Sequence, residues 1–217
     1  MKLSNETREI LKNYANINAN LLVKTGNKIS TMSSMKNIVS IAELPDTFPS
    51  EFAIYDLNEY LSAMSLFKDP ELEFGENSVR MWEGNQSLKY FYSDPTVVTT
   101  PKSDITMPDA EAKFTLQQNT FNQVLKAASV LNAPDMVLDT GDVGIMLLRV
   151  SDRKNDTSNN FSIEVGDGAI PNQKFFFKVE NLKLLSGDYD VEVSTKGISR
   201  FKNVSKNIEY YIALETA

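Results

Sequence analysis

The sequence predicts an α+β protein made of two similar halves with mostly antiparallel sheets. Three observations carry this. One succession of elements, strand, helix, strand, strand, strand, recurs four times along the 217 residues; a proline-rich stretch divides the chain near its middle; and the two halves match in charge. The dividing stretch, SDPTVVTTPKSDITMPD from Ser93 to Asp109, has three prolines and no helical period, so it reads as a crossover between domains. The expected domains are residues 1–107 and 108–217, with 10 basic and 14 acidic side chains in the first and 12 and 15 in the second.

In the first half, Leu3, Thr7, Ile10, Leu11 and Tyr14 fall on one helical face, with Ser4 or Asn5 as cap, which predicts a helix over Ser4–Tyr14. Any strand before it is reduced to a few residues. The runs LLVKT, NKISTMSS, KNIVSIAEL and EFAIYD then read as strands separated by turn residues such as Gly26 and Asn27. Asp56 caps a second helix with the stripe Leu57, Tyr60, Leu61 and Met64, and strands follow at ELEF, SVRMWE and SLKYFYS.

The second half repeats the plan. AEAKFTL is a strand, and Phe121, Val124, Leu125, Ala128 and Leu131 stripe a helix from Gln118 to Leu131. DMVLDT, VGIMLLRVS, NFSIEVGD and QKFFFKVE are strands, Asn181–Leu185 is a short helical turn, and DYDVEVSTK, ISRFKNV and EYYIALE close the chain. Each helix needs an apolar surface to cover its stripe, so the helices of a half belong on one side of their sheet.

Composition narrows the chemistry. There is no cysteine and no histidine, which removes disulfides, thiolate nucleophiles, zinc–thiolate sites and histidine-based triads or metal centres. Acidic pairs such as Asp139 with Asp142, Asp152 with Asp156, and Asp188 with Asp190 sit in single turns or strand ends, where Asp is favoured for its own turn chemistry. GDGAIP lacks the spacing and the Lys-Ser/Thr ending of a phosphate loop. No catalytic residue, metal or cofactor is therefore expected. The amino-terminal residues lack the apolar core of a signal peptide and no stretch approaches about 18 apolar residues, which predicts a soluble cytoplasmic protein without a membrane partner. The formal net charge of -7 argues against a generally basic nucleic-acid coat. It leaves room for a protein that encircles a duplex, held by topology with only a local basic lining.

Particular strings then point to a family. MKLS at the start, AIYDLNEYL, DPTVV at the crossover, GDYDVEV with a following KG, and YYIALE at the end resemble, in order and spacing, the sliding clamps of T-even-type bacteriophages. The resemblance covers nearly the whole chain. It implies the sliding-clamp fold, with helices lining a central hole and sheets outside, and a non-enzymatic head-to-tail homotrimer that encircles double-stranded DNA without reading its sequence. It also implies a role as processivity factor for a replicative DNA polymerase, loading by a separate ATP-driven clamp loader, and a platform for late-transcription sigma and co-activator proteins, all in the cytoplasm of the infected bacterium.

Residues follow from the two readings together. Arg8, Lys12, Lys126 and Lys183 lie off the apolar stripes and are the expected DNA-facing set, although Glu6, Glu9 and Glu59 share exposed helix faces. The resemblance places SLKYFYS at a sheet edge paired with NFSIEVG of the next subunit, which gives Lys89, Tyr90, Phe91, Tyr92, Phe161, Ile163 and Val165 as the expected subunit interface. A partner-peptide groove beneath the crossover would use Val97, Val98, Ile105, Met107, Tyr211 and Ala213. The rival from another class is a β-rich, ring-forming phage tail or baseplate protein. Four helical segments in a fourfold repeat favour the clamp. A single-strand binder would interleave more basic residues with aromatics than SLKYFYS does.

Overall fold

The computed structural model describes residues 1–103 and 105–216. The chain divides into two compact units, Met1–Asp104 and Ile105–Ala217, three residues before the boundary expected from the prolines.

In the first unit the order is α1 (Asn5–Ile17), β1 (Leu21–Val23), β2 (Gly26–Met32), β3 (Ile38–Phe48), β4 (Phe52–Ile54), α2 (Leu57–Met64), β5 (Glu71–Phe74), β6 (Ser78–Glu83) and β7 (Gln86–Phe91), followed by a 3-10 turn at Pro95–Val97. Strands β4-β1-β2-β3 lie side by side in that order, and β5-β6-β7 form a separate three-stranded sheet. Helix α1 packs on β2 and β3 and against α2, which packs on β7. The residual first strand is present as a pair of backbone bonds: the Met1 amine donates to the Leu72 carbonyl, and Leu72 N–H donates to the Met1 carbonyl, both at 2.7 Å.

Helix α1 starts where expected because Ser4 Oγ accepts the Thr7 N–H at 3.2 Å, and it runs three residues past Tyr14 because Ile17 extends the buried stripe. Strand β3 continues four residues beyond Leu44, through Pro45. Proline is tolerated there because the β2–β3 register shifts between Gly26 opposite Phe48 and Lys28 opposite Glu43, which removes Pro45 from the regular ladder.

In the second unit the order is β8 (Ala112–Leu116), α3 (Gln118–Leu131), β9 (Asp135–Asp139), β10 (Met146–Ser151), β11 (Phe161–Gly166), β12 (Lys174–Lys178), a 3-10 turn (Val179–Asn181), β13 (Tyr189–Ser194), β14 (Ile198–Asn203) and β15 (Ile208–Ala213). Strands β15-β14-β13-β8 are neighbours in that order, and β11-β10-β9-β12 form a four-stranded sheet that α3 covers on one face through β10 and β11. The pairings β10–β11, β10–β9, β12–β9, β13–β14, β13–β8 and β14–β15 are antiparallel. Helix α3 occupies the expected residues; its amino end is capped from outside, by Asp188 Oδ1 accepting the Gln118 N–H at 2.7 Å, and Asn132 ends it in the left-handed region at φ 51°.

The last helical turn differs from expectation. It spans Val179–Asn181, not Asn181–Leu185, so Lys183 lies beyond it. The backbone finds other partners: Val179 N–H donates to the Pro134 carbonyl, Leu185 N–H to the Tyr210 hydroxyl, and the Leu185 carbonyl accepts the Tyr189 hydroxyl at 2.6 Å. Two buried tyrosines thus take the polar groups that a helix would have used.

Candidate nucleic-acid and subunit interfaces

Lys12 and Lys126 stand on exposed faces of α1 and α3, opposite the buried stripes Ile10–Tyr14–Ile17 and Phe121–Val124–Ala128. Each presents a solvated ammonium on a rigid helix, the kind of contact that meets phosphates without reading base edges. Arg8, expected beside them, is half-buried and tied down. Its guanidinium donates to Asp69 Oδ1 at 3.1 Å and reaches the Lys68 carbonyl at 3.5 Å, while Lys2 holds the other oxygen of Asp69 at 2.6 Å. The hydrogen bond from Lys2 is the main cause that holds the Asp69 carboxyl below its ordinary range, with Arg8 adding to it. Arg8 is therefore corrected from a projecting cation to a strut between α1 and the segment before β5. Lys183 is also half-buried, outside any helix, and is removed from the helical lining.

The acidic pairs do structural work. Asp139 accepts the Gly141 N–H, Asp152 accepts the Lys154 N–H, Asp188 caps α3 and Asp190 accepts the Thr115 hydroxyl. Among the described residues no group of three or more Asp, Glu, His or Cys is arranged to hold a metal ion.

The two strands expected at the subunit boundary are both sheet edges, β7 in the first unit and β11 in the second. Register fixes which way their side chains face. Tyr90 lies opposite Val79 and Leu88 opposite Met81, both buried, so Leu88 and Tyr90 face the helices, whereas Lys89 and Phe91 face away. The Tyr90 ring meets Tyr60 of α2 edge-on at 5.3 Å, and its hydroxyl donates toward the Asp56 carbonyl (3.3 Å) and Glu59 Oε2 (3.4 Å). Burial, then the Glu59 charge, pushes the Tyr90 phenol up to about 12. Tyr92 stacks on Phe52 at 4.9 Å, and Lys89 sits 4.8 Å over the Phe91 ring, leaving that ring 62% exposed. On β11, Ile163 pairs with Leu148 and Phe161 with Val150, so Phe161, Ile163 and Val165 share the half-buried face under α3. Each edge thus carries an apolar row on its helix side and open backbone along its rim.

At the crossover, Asp94 caps the 3-10 turn by accepting the Thr96 N–H at 2.8 Å, and Thr99 N–H donates to Asn20 Oδ1 at 2.8 Å. Beneath residues 100–103 lies a cavity of about 410 Å³ whose lining includes Leu22, Lys24, Lys28, Ile41, Pro101 and Lys102. This lining contains none of the residues expected for a partner-peptide groove. Val97 is exposed on the 3-10 turn, Val98 is half-buried beside it, and neither lines the cavity. In the second unit Ile105, Met107 and Ala213 are half-buried, while Tyr211 is buried at 6% exposure and serves the core. Leu22 and Lys28 are less buried than their neighbours Val23 and Ile29 in β1 and β2, and Lys24 is exposed in the turn between the two strands.

The chain matches known proteins along nearly its whole length. A sliding clamp of Vibrio phage KVP40 is 36% identical over 222 aligned residues, covering 99% of both chains. The chain belongs to the sliding-clamp family. Two family models agree: "gp45 sliding clamp, C terminal" matches residues 113–216, and "DNA polymerase processivity factor" matches residues 4–74. The sliding clamp of Enterobacteria phage T4 is 28% identical, covering 99% of this chain and 97% of its own. Among solved structures, A. fulgidus PCNA bound to the C-terminal region of FEN-1 has a TM-score of 0.73 at 14% identity, covering 97% of this chain and 95% of that one. The Helicobacter pylori beta clamp bound to a DNA ligase peptide has a TM-score of 0.74 at 12% identity, covering all of this clamp and 65% of that chain. Those likenesses establish the sliding-clamp fold, α+β with antiparallel sheets.

Proposed function

We propose that this clamp closes into a head-to-tail homotrimeric ring around duplex DNA and tethers a phage replicative polymerase, acting as a processivity factor rather than a catalyst. The observation that carries the reading is the pair of open sheet edges, β7 and β11. They are two different surfaces, as a heterologous contact requires, one in each unit, and contacts of that kind close into rings when the rotation permits. Pairing β7 of one subunit with β11 of the next would satisfy both rims and join the Leu88–Tyr90 row to the Phe161–Ile163–Val165 row in one apolar layer under the helices. Lys89, Phe91 and Tyr92 would flank that seam. The two compact units serve as the two clamp domains.

Lys12 and Lys126 are the residues we assign to the DNA side, with Arg8 acting indirectly by bracing α1. The cavity beneath residues 100–103 is the assigned docking place for partner peptides, its three lysines favouring an acidic one. A polymerase, a clamp loader and late-transcription proteins are the proposed partners, in the cytoplasm of the infected host. The test is retention on DNA. Clamps loaded on a nicked circle stay bound through a high-salt wash and are lost when the circle is cut; loss from the intact circle at the same rate would refute encirclement.

A further inference from the structure

A second cavity, of about 410 Å³, lies wholly in the second unit, between the β11-β10-β9-β12 sheet and the loop after β10. It is on the face away from α3. Met146, Leu148 and Val150 of β10 are buried toward the helix, so Leu147, Arg149 and Ser151 point the other way. Arg149 pairs with Val137, which pairs with Phe176, so a guanidinium, an aliphatic floor and an aromatic ring stand in one row across three strands. Lys174 and Arg153 complete the basic lining.

Two of these cations already have partners. Lys174 Nζ is 3.7 Å from Asp139, and Arg153 lies 5.2 Å over the Phe176 ring, is 3.9 Å from buried Asp135 and donates to the Thr216 carbonyl at 2.6 Å. Arg149 differs. Its Nε–H is buried and has no acceptor among the described residues. A buried donor without an acceptor costs free energy, and a planar guanidinium is matched by a carboxylate, which accepts from Nε and a terminal nitrogen together. The acidic lining residues Asp152 and Asp139 have oxygens engaged with the Lys154 and Gly141 N–H groups, which fixes them in their turns.

We propose that this cavity is a second docking site, which receives an acidic side chain of a partner peptide, its carboxylate held by Arg149 and an adjacent apolar residue resting on Val137 and Phe176. The cavity is separate from the one beneath the crossover, so the clamp would offer a partner an additional hold on the outer sheet. Charge complementarity to Arg149 selects the occupant, and the surrounding Asp139, Asp152 and Asp156 favour a single carboxylate over a multiply charged phosphate.

The experiment uses the full-length clamp and two probes, acetyl-Val-Glu-Gly-amide and its Gln counterpart, followed by the NMR signal of the Arg149 Nε–H. The Glu peptide is expected to shift that signal saturably, with binding weakened about tenfold or more by the Gln peptide or by Arg149→Met, the range for loss of a charge-assisted pair. For Arg149→Met the same peptides are followed by calorimetry. Arg149→Lys, which keeps the charge but not the fork, should bind between the two, with melting temperatures close to wild type for both variants. Equal binding by Arg149→Met, or equal binding of the Gln peptide, overturns the proposal. So does binding that appears only after deletion of Thr216 and Ala217, since the cavity would then serve the chain's own tail. Loss of DNA encirclement would leave this result untouched, because the peptide assay does not require the ring to be loaded.

Discussion

Asp135 is 1% exposed, yet it carries a charge that two cations share. Lys178 Nζ lies 2.6 Å from Oδ1, Arg153 Nε lies 3.9 Å away, and the Arg153 backbone N–H donates to Oδ2 at 3.2 Å. The pair ties β12 to β9, opposite which Arg153 begins the loop after β10, so it braces the sheet whose far edge is β11. Asp135→Asn keeps the shape and one acceptor but removes the charge. Breaking a buried pair from one side costs about 3–5 kcal/mol when both partners are enclosed. Here the Lys178 and Arg153 side chains are 24% and 23% exposed, so water recovers part of that loss and about 2–3 kcal/mol is expected. Urea unfolding at pH 7, at a fixed protein concentration, reads the change as a lower midpoint with an unaltered slope. A cycle with Lys178→Met should show coupling of about 1 kcal/mol or more, the double variant being less unstable than the sum of the singles. A loss below about 0.5 kcal/mol would refute the bracing argument, since that is the range of ordinary surface changes.

Other predictions concern the helix cap and the two interfaces. Burial alone would raise the Asp46 carboxyl, but hydrogen bonds from Thr7 and Ser4, with the charge of Arg8, outweigh it and hold it below its ordinary range. A depressed folded value contributes stability above the unfolded value that is lost as pH falls through the folded one, so Asp46→Asn should destabilise at pH 7 by about 1 kcal/mol and converge with wild type in acid melts. Lys12→Glu combined with Lys126→Glu should leave the circular dichroism melt unchanged while lowering polymerase processivity severalfold and weakening its salt dependence. Unchanged processivity would remove those lysines from the DNA side. Tyr90→Asp removes the ring from the apolar row of β7 that would meet the next subunit and should raise the subunit dissociation constant about tenfold or more, from roughly 2 kcal/mol of lost apolar burial across the seam. Its lost contact with Tyr60 and its charge beside Glu59 act within the subunit and lower the melting temperature. An intact assembly at the same dilutions would contradict the edge-pairing assignment.

Much of the fold was legible because its signals are local. The stripe of α3 fixed its ends, Asp56 announced α2, and alternation located the strands. What the sequence hid depends on partners distant along the chain. Whether Arg8 projects is decided by Asp69, more than sixty residues away, and whether Lys183 stands on a helix is decided by the hydroxyls of Tyr189 and Tyr210. The continuation of β3 through Pro45 required knowing that the ladder slips opposite Gly26. At the crossover, the prolines marked the segment that covers the cavity beneath residues 100–103. The residues that line this cavity, Lys24, Lys28 and Lys102 among them, are brought together only when residues 100–103 lie over β1 and β2, which no local pattern shows.

Solution mass by light scattering across a dilution series tests the ring most directly. A discrete species of three times 24.3 kDa that falls apart only on dilution is the expected result. A strict monomer at high concentration, or polymers of no fixed size, would contradict a closed trimer built on the β7 and β11 edges.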